Sequence, residues 1–343
     1  MIASWQSPSN IALIKYWGKY APQLPANSSL SFSLEECTTQ TTAEVTPGNG
    51  KISVLLDGTP APSFLPKIQL FFKAIADRHP WAGVMDWTIS THNSFPHSSG
   101  IASSASGMSA LALCVVDLAV QLGERLPAKD FWKEASVLAR LGSGSAARSV
   151  YGGWVVWGKT DSLPGSRQEM AIPYPLPIDP VFTTFRDTVL LVDVGEKSVS
   201  SSVGHGLMLH HPFAEARFAQ AREHLVKLQS ILASGDLPAF FDLVEREALT
   251  LHALMMSSNP AFLLMKPHTL SLIDRIQQAR KDGLDVGFTL DAGANIHLLY
   301  PQTAEPFVLP LLQEEWAVFC KEGKYIQDRI GSGPISLSSS SVK

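Results

Sequence analysis

The chain has 343 residues, 45% apolar and 17% charged, with a formal net charge of −4 at pH 7. That length suits two ordinary domains, and the balance excludes a disordered chain, a coiled coil or a basic nucleic-acid binder. Cys37, Cys114 and Cys320 are widely spaced with no CxxC, which argues for free buried thiols rather than a disulfide framework or zinc site.

The opening MIASWQSPSN has no basic start followed by an apolar run. The most apolar stretch, 107–122, is short for a membrane span and carries Asp117. A cytoplasmic protein without membrane or nucleic-acid partners is the expectation. Strands come first. Residues 41–60 alternate β-branched runs with Gly-Asn-Gly and Asp-Gly, both hairpin turn signals. Apolar residues from Met108 through Leu111, Ala112, Val115, Leu118 and Ala119 to Leu122 then mark one helical face. A second helix is expected over about 128–141 with Phe131, Ala135 and Leu138 inward, and 152–158 returns to strand.

Residues 160–187, rich in Pro and polar residues, read as a linker or long surface loop. TVLLVDV (188–194) reads as a buried strand, followed by helices at about 214–232, 238–256 and 267–282. Asp236 is placed to cap the second with Pro238 in its first turn, and Gly283 stops the third. VGFTL (286–290) and IHLLY (296–300) read as strands around the turn DAGAN, and 331–343 as a frayed tail. The outline is α+β with domains at 1–185 and 186–330 and a flexible tail at 331–343.

Four segments carry chemistry. Pro96 to Ala105, PHSSGIASSA, sets small and hydroxylated residues ahead of a helix N-terminus, where unpaired N–H groups and the helix dipole favour a phosphate. A plain capped helix behind a flexible loop reads equally well, and no GxxxxGK[ST] P-loop occurs. SPSNIALIKYWGKY (7–20) sets Asn10, Lys15 and Lys19 among apolar neighbours, either as a site or as a strand with snorkelling lysines. RLGSGSAARSVYGG (140–153) is a second Gly/Ser cluster, with Arg148, or a helix-to-strand loop. FTLDAGAN (288–295) puts Asp291 at a strand end, or in an Asx-type turn. His210, His211 and His252 lack metal-ligand spacing with a carboxylate, so no metal site is expected among protein ligands.

Taken together the segments resemble the GHMP kinase superfamily and, within it, the mevalonate diphosphate decarboxylases. The residues that carry the likeness are Asn10-Ile11-Ala12 with Lys15-Tyr16-Trp17-Gly18-Lys19, then Phe95-Pro96 with Gly100 to Ala105, Gly142 to Ser149, and Leu290 to Asn295. The chain departs from the family pattern at His97-Ser98-Ser99, at Leu290 and Ala294, and at Lys67, which stands where the family has an arginine.

The resemblance implies an N-terminal ribosomal S5 domain 2-like unit, a C-terminal ferredoxin-like α/β sandwich, and a site in the cleft between them. It implies ATP and Mg²⁺ as cofactors, mevalonate 5-diphosphate as substrate, isopentenyl diphosphate as product, and a possible homodimer. Asp291 would be the base, Arg148 would hold the substrate carboxylate, and Lys15, the third catalytic candidate, would grip the diphosphate. Asn10, Tyr16, Trp17, Gly18, Lys19, Lys67, Ser143, Gly144, Ser145 and Ser202 would bind substrate. Ser98, Ser99, Gly100, Ile101, Ala102, Ser103 and Ser104 would bind ATP. A mevalonate 5-phosphate decarboxylase, a mevalonate 3-kinase and a non-catalytic sensor on the same fold are the alternatives. Neighbouring phosphates would raise the Asp291 pKa and Lys or Arg would lower it, and the sequence leaves both directions open.

Overall fold

The computed structural model describes residues 1–96, 101–124, 126–195, 199 and 201–338, apart from the side chains of Ala128, Lys129 and Ser202. Its larger sheet is built on β1 (Ile2–Ala12) and β4 (Ser29–Pro47), antiparallel along most of their length. Between them, β2 (Lys19–Tyr20) and β3 (Leu24–Pro25) form a small separate ribbon. β4 is long enough to take two partners on its other edge. Its second half pairs with β7 (Met85–Asn93) and its first with β8 (Trp154–Trp157), which β9 (Ala171–Pro173) flanks. Beyond β7 lie β5 (Ile52–Leu56), parallel to it, and β6 (Thr59–Pro60).

The two turn signals in 41–60 part company here. Asp57 and Gly58 both take positive φ, 51° and 77°, and close the β5–β6 hairpin as a primed turn. Gly-Asn-Gly closes no hairpin, because β7 lies between β4 and β5. The Asp86 carboxylate of β7 accepts from the Asn49 and Lys51 N–H groups at 2.9 and 2.8 Å and turns the loop over that strand's start.

α1 (Leu65–Ile75), α2 (Ser103–Gln121) and α3 (Ala128–Gly142) pack with this sheet in one apolar core. α2 is buried almost all round rather than on one face, and two of its polar residues are paired with β1: Trp5 Nε1 donates to Asp117 at 2.9 Å and Ser7 Oγ to Ser109 at 2.7 Å. Leu122, expected inward, lies past the last turn and is 43% exposed. α2 is long and apolar enough to cross a bilayer, but 78% of that window is buried inside the protein. All three cysteines are free and buried.

The second sheet has the order β11 (Gly287–Thr289), β12 (Ile296–Tyr300), β10 (Arg186–Leu190), β13 (Tyr325–Arg329), all antiparallel. With it go α4 (Ser201–Leu207), α5 (Ala214–Ser234), α6 (Leu237–Met256), α7 (Pro267–Lys281) and α8 (Glu305–Leu311). The Asp236 side chain caps α6 by accepting from Ala239 N–H at 3.0 Å. α5 and α6 press Leu225, Leu228, Phe240 and Val244 against Ile11, Leu30 and Phe32 of the larger sheet, so one core spans both halves. Asp328 of β13 adds a polar tie, accepting the N–H groups of Glu35, Glu36 and Cys37 at 2.8–2.9 Å.

Two expected loops are structured. Residues 160–187 contain β9 and put Leu163, Phe182 and Phe185 into the shared core, with at most 1% exposure. The tail from 331 to 338 is no frayed end: β14 (Ile335–Ser336) pairs with β1, Leu337 N–H donates to Ser4 O and Ser4 N–H to Ser338 Oγ, both at 2.8 Å. The edge of β1 offers main-chain groups that otherwise lack partners. Residues 339–343 lie outside the described residues.

Candidate active site

A cleft of about 510 Å³ opens where the segment after β1, the start of α2, the end of α3 and the β11–β12 turn converge. Lys15, Tyr16, Trp17, Lys19, Lys67, Ala102, Ser104, Ser143, Gly144, Ser145, Arg148 and Asp291 all line it. Four segments spread along the sequence thus meet in one cavity.

At its centre Lys15 Nζ lies 2.9 Å from Asp291 Oδ1. Lys15 does not snorkel out: its side chain is 1% exposed, against 26% for Asp291. Enclosure by the cleft walls opposes ionisation of Asp291. The Lys15 ammonium with its hydrogen bond, then His297 and Arg148, outweigh that and hold the pKa below its ordinary 3.8. Burial lowers the Lys15 pKa, with Asp291 as the largest counterweight. His252 Nε2 meets the Asp291 carbonyl at 3.1 Å and fixes the turn.

Arg148 is 3% exposed, and burial lowers its pKa to about 10, leaving it charged at neutral pH. Its Nε donates to Asn10 Oδ1 at 3.0 Å and its Nη1 to Ser29 Oγ at 2.6 Å, which orients the guanidinium at the cleft. Asn10 is held in turn by donating to Ser149 Oγ at 2.7 Å and Ser145 O at 3.3 Å. Gly144 sits where no larger residue fits, since a Cβ there would lie 2.7 Å from the Tyr16 hydroxyl and 2.8 Å from the Trp157 ring. Ser104 and Ser143 face each other at 3.3 Å between their hydroxyl oxygens. Lys67, on α1, stands at the cleft rim, where partial enclosure and then the charge of Lys19 lower its pKa.

Other expected residues lie elsewhere. Asn10 stands behind Arg148 and does not line the cleft. Gly18 lies off the cleft wall and donates its N–H to His205 Nδ1 at 3.0 Å. The Ile101 side chain is buried in the core at 2% exposure, because it is the apolar residue of its loop, and its carbonyl accepts from Ser9 Oγ. Ser103 opens α2 without a side-chain cap there, next to Ala102 at φ 50°. His97, Ser98, Ser99, Gly100 and the Ser202 side chain lie outside the described residues.

Comparisons with known proteins bear on the family and the fold. Residues 7–169 match a model of the diphosphomevalonate decarboxylase-like N-terminal domain, and residues 188–337 match the mevalonate 5-diphosphate decarboxylase C-terminal domain. A diphosphomevalonate decarboxylase of Eremothecium gossypii is 30% identical over 318 residues, covering 87% of this chain and 77% of that protein. The chain belongs to the diphosphomevalonate decarboxylase family. The Candida albicans diphosphomevalonate decarboxylase is 29% identical over 99% of both chains. A solved structure described as MDDEF in complex with MVAPP, AMPPCP and magnesium superposes with a TM-score of 0.84, at 26% identity and 99% coverage of both chains. The mixed two-sheet architecture is thus that of the diphosphomevalonate decarboxylases, within the GHMP kinase superfamily.

Sequence reasoning missed several residues around the cleft. His205 of α4 is clamped between Tyr16 and Trp17, with ring centroids at 4.3 and 4.7 Å, and lines the cavity. Burial, then the charges of Lys19 and Arg148, push its pKa down to about 3, so it is neutral and accepts the Gly18 N–H at Nδ1. Glu247, Arg217 and His224 form a buried cluster behind Lys15. A signal for them existed. Glu247 falls between Val244 and Leu251 on the apolar face of α6, and Arg217 and His224 lie seven apart on that of α5, where unpaired charge is costly.

Proposed function

We propose that this chain catalyses the ATP-dependent decarboxylation of mevalonate 5-diphosphate to isopentenyl diphosphate, releasing ADP, phosphate and CO2. The observation that carries the reading is the Asp291 carboxylate held by Lys15 in a cleft that also presents Arg148 and the start of α2. Family membership and the relative described with MVAPP, AMPPCP and magnesium support it.

A tertiary alcohol is a poor nucleophile and hydroxide a poor leaving group. Transfer of the γ-phosphoryl to the 3-hydroxyl replaces hydroxide with phosphate as the leaving group, and a base that takes the hydroxyl proton meets the first obstacle. Asp291 accepts the hydroxyl proton as that transfer occurs, and Lys15 keeps the carboxylate ionised until then. The C3–O bond then breaks with phosphate leaving. The bond to the carboxylate carbon supplies the electron pair of the new double bond, and CO2 departs. Arg148 orients that carboxylate with its planar fork, while Tyr16, Lys19, Lys67, Ser143 and Ser145 hold the diphosphate. Trp17 and Gly144 shape the wall. The start of α2, with Ala102 and Ser104, receives the nucleotide phosphates.

Among the described residues no three His, Cys, Asp or Glu side chains group as a metal cage. The site offers the hard hydroxyl oxygens of Ser104 and Ser143, which suit magnesium that keeps nucleotide phosphates and water as its other ligands. When bound, Mg²⁺ supplies charge neutralisation for phosphoryl transfer. The proposal includes a division of the chain near residue 185, a cytoplasmic location, which accords with three free buried cysteines, and a homodimer.

An ADP-release assay with CO2 trapping, run in parallel on mevalonate 5-diphosphate, mevalonate 5-phosphate and mevalonate, tests the reading. Equal ADP and CO2 from the diphosphate alone is the expected result. CO2 from the monophosphate, ADP without CO2, or no turnover would each overturn it, in favour of the sibling decarboxylase, a kinase or a sensor respectively. Ser104→Ala should raise the KM for ATP on the order of 10- to 100-fold, the loss of about 1.5–3 kcal/mol expected for a hydrogen bond to a charged group. Unchanged nucleotide kinetics would remove Ser104 from the site.

A further inference from the structure

The Lys15 main chain is gripped from behind by groups that the reaction does not touch. Its N–H donates to Glu247 Oε2 at 2.8 Å. Its carbonyl accepts from Arg217 Nη2 at 3.2 Å and Asn27 Nδ2 at 3.0 Å. Arg217 also spans both Glu247 oxygens, at 2.7 and 2.6 Å, and His224 Nδ1 donates to Oε1 at 2.6 Å. Glu247, Arg217 and His224 are 0%, 2% and 7% exposed. Burial pushes the Glu247 pKa up, but hydrogen bonds from Arg217 and His224, the Arg217 charge and the Lys15 N–H outweigh it and bring it down to about 2.

A buried ion cluster is weak evidence for stability, because desolvation offsets most of the attraction. Its geometry suits registration better. α5 and α6 belong with the second sheet, whereas Lys15 follows β1 of the first. A carboxylate and a guanidinium closing on the N–H and C=O of one residue fix both its position and the direction in which its side chain leaves the chain.

We propose that Glu247, Arg217 and His224 are positioning residues that set Lys15 against Asp291, and so couple the seating of the two halves of the molecule to activation of the base. The inference rests on the reading of Asp291 as base. The groups facing Asp291 are Lys15 from the segment after β1, Arg148 from residues 144–150, His297 from β12 and, at its carbonyl, His252 from α6. Of these, Lys15 is the one bonded through its main chain to Glu247 and Arg217 among the described residues.

The test compares kcat, KM and the acid limb of kcat/KM in Glu247→Gln, His224→Phe, His224→Asn and Lys15→Met with the parent enzyme. One substrate is used throughout, so that its own ionisations cancel. Lys15→Met should move the acid limb upward; if it does not, the reading of Asp291 fails. Glu247→Gln should lower kcat about 10²-fold, the cost of a misplacement near 1 Å, with the KM for ATP unchanged and the same upward limb shift. His224→Phe should do so more weakly, and His224→Asn, whose amide can replace the Nδ1 donor, should recover most of the loss. Should Glu247→Gln fail to fold, the His224 pair decides alone. A shifted limb in Lys15→Met beside unshifted limbs in the folded cluster variants would overturn the positioning role while leaving the base intact.

Discussion

Asp291→Asn should lower kcat by about 10²–10⁴-fold, the usual contribution of a positioned general base, with the KM for ATP little changed. The amide keeps the shape and can still accept from Lys15, but it cannot take the hydroxyl proton. Its pH behaviour follows from the cleft. The Asp291 pKa is held below 3.8, so the carboxylate is ionised through the neutral range, and any acid limb it contributes to kcat/KM lies below that value. The stabilisation from the Lys15 pair has the same sign: it is present above the unfolded pKa and lost as pH falls through the folded one. Steady-state kinetics with a thermal melt checks both statements, and a variant within tenfold of the parent would dismiss Asp291 as base.

Arg148→Lys should lower kcat/KM for mevalonate 5-diphosphate on the order of 10²–10³-fold, since truncating one partner of a buried charge pair costs roughly 2–5 kcal/mol. Lysine keeps the charge but not the fork that holds Asn10, Ser29 and the substrate at once. Asn10 and Ser29 would lose their donor, so the melting temperature should also fall. The decisive readout is selectivity. The loss should fall on the carboxylate-bearing substrate while ATP binding, measured directly, stays near that of the parent. An equal loss for both ligands would mean that Arg148 supports the cleft as a whole.

The groups proposed to do chemistry were legible in the chain because four local patterns occur together, although each alone also reads as an ordinary loop, strand or turn. Asp291 follows the strand Gly287–Thr289 and precedes Ile296–Tyr300, and short apolar runs mark both. Lys15 and Arg148 lie in short motifs that stand out through their resemblance to the family pattern. The helices with clear caps, such as Leu237–Met256 behind Asp236, were legible from their periodicity and capping residues.

What escaped depended on distant partners. Gly-Asn-Gly looks like a hairpin until β7 takes the place beside β4. Residues 160–187 look like a linker until their aromatic side chains meet α6, and 331–338 look frayed until the open edge of β1 receives them. Glu247, Arg217 and His224 look like misplaced charges on apolar helix faces until Lys15 arrives between them. By itself, then, the sequence determined the periodic elements, the chemical groups and the family they resemble, because propensity, capping and motif spacing act over a few residues. Only the tertiary structure decided strand order, the fate of those loops and the orientation of Lys15, because a buried polar group or an open strand edge is satisfied by whichever distant segment the fold brings to it.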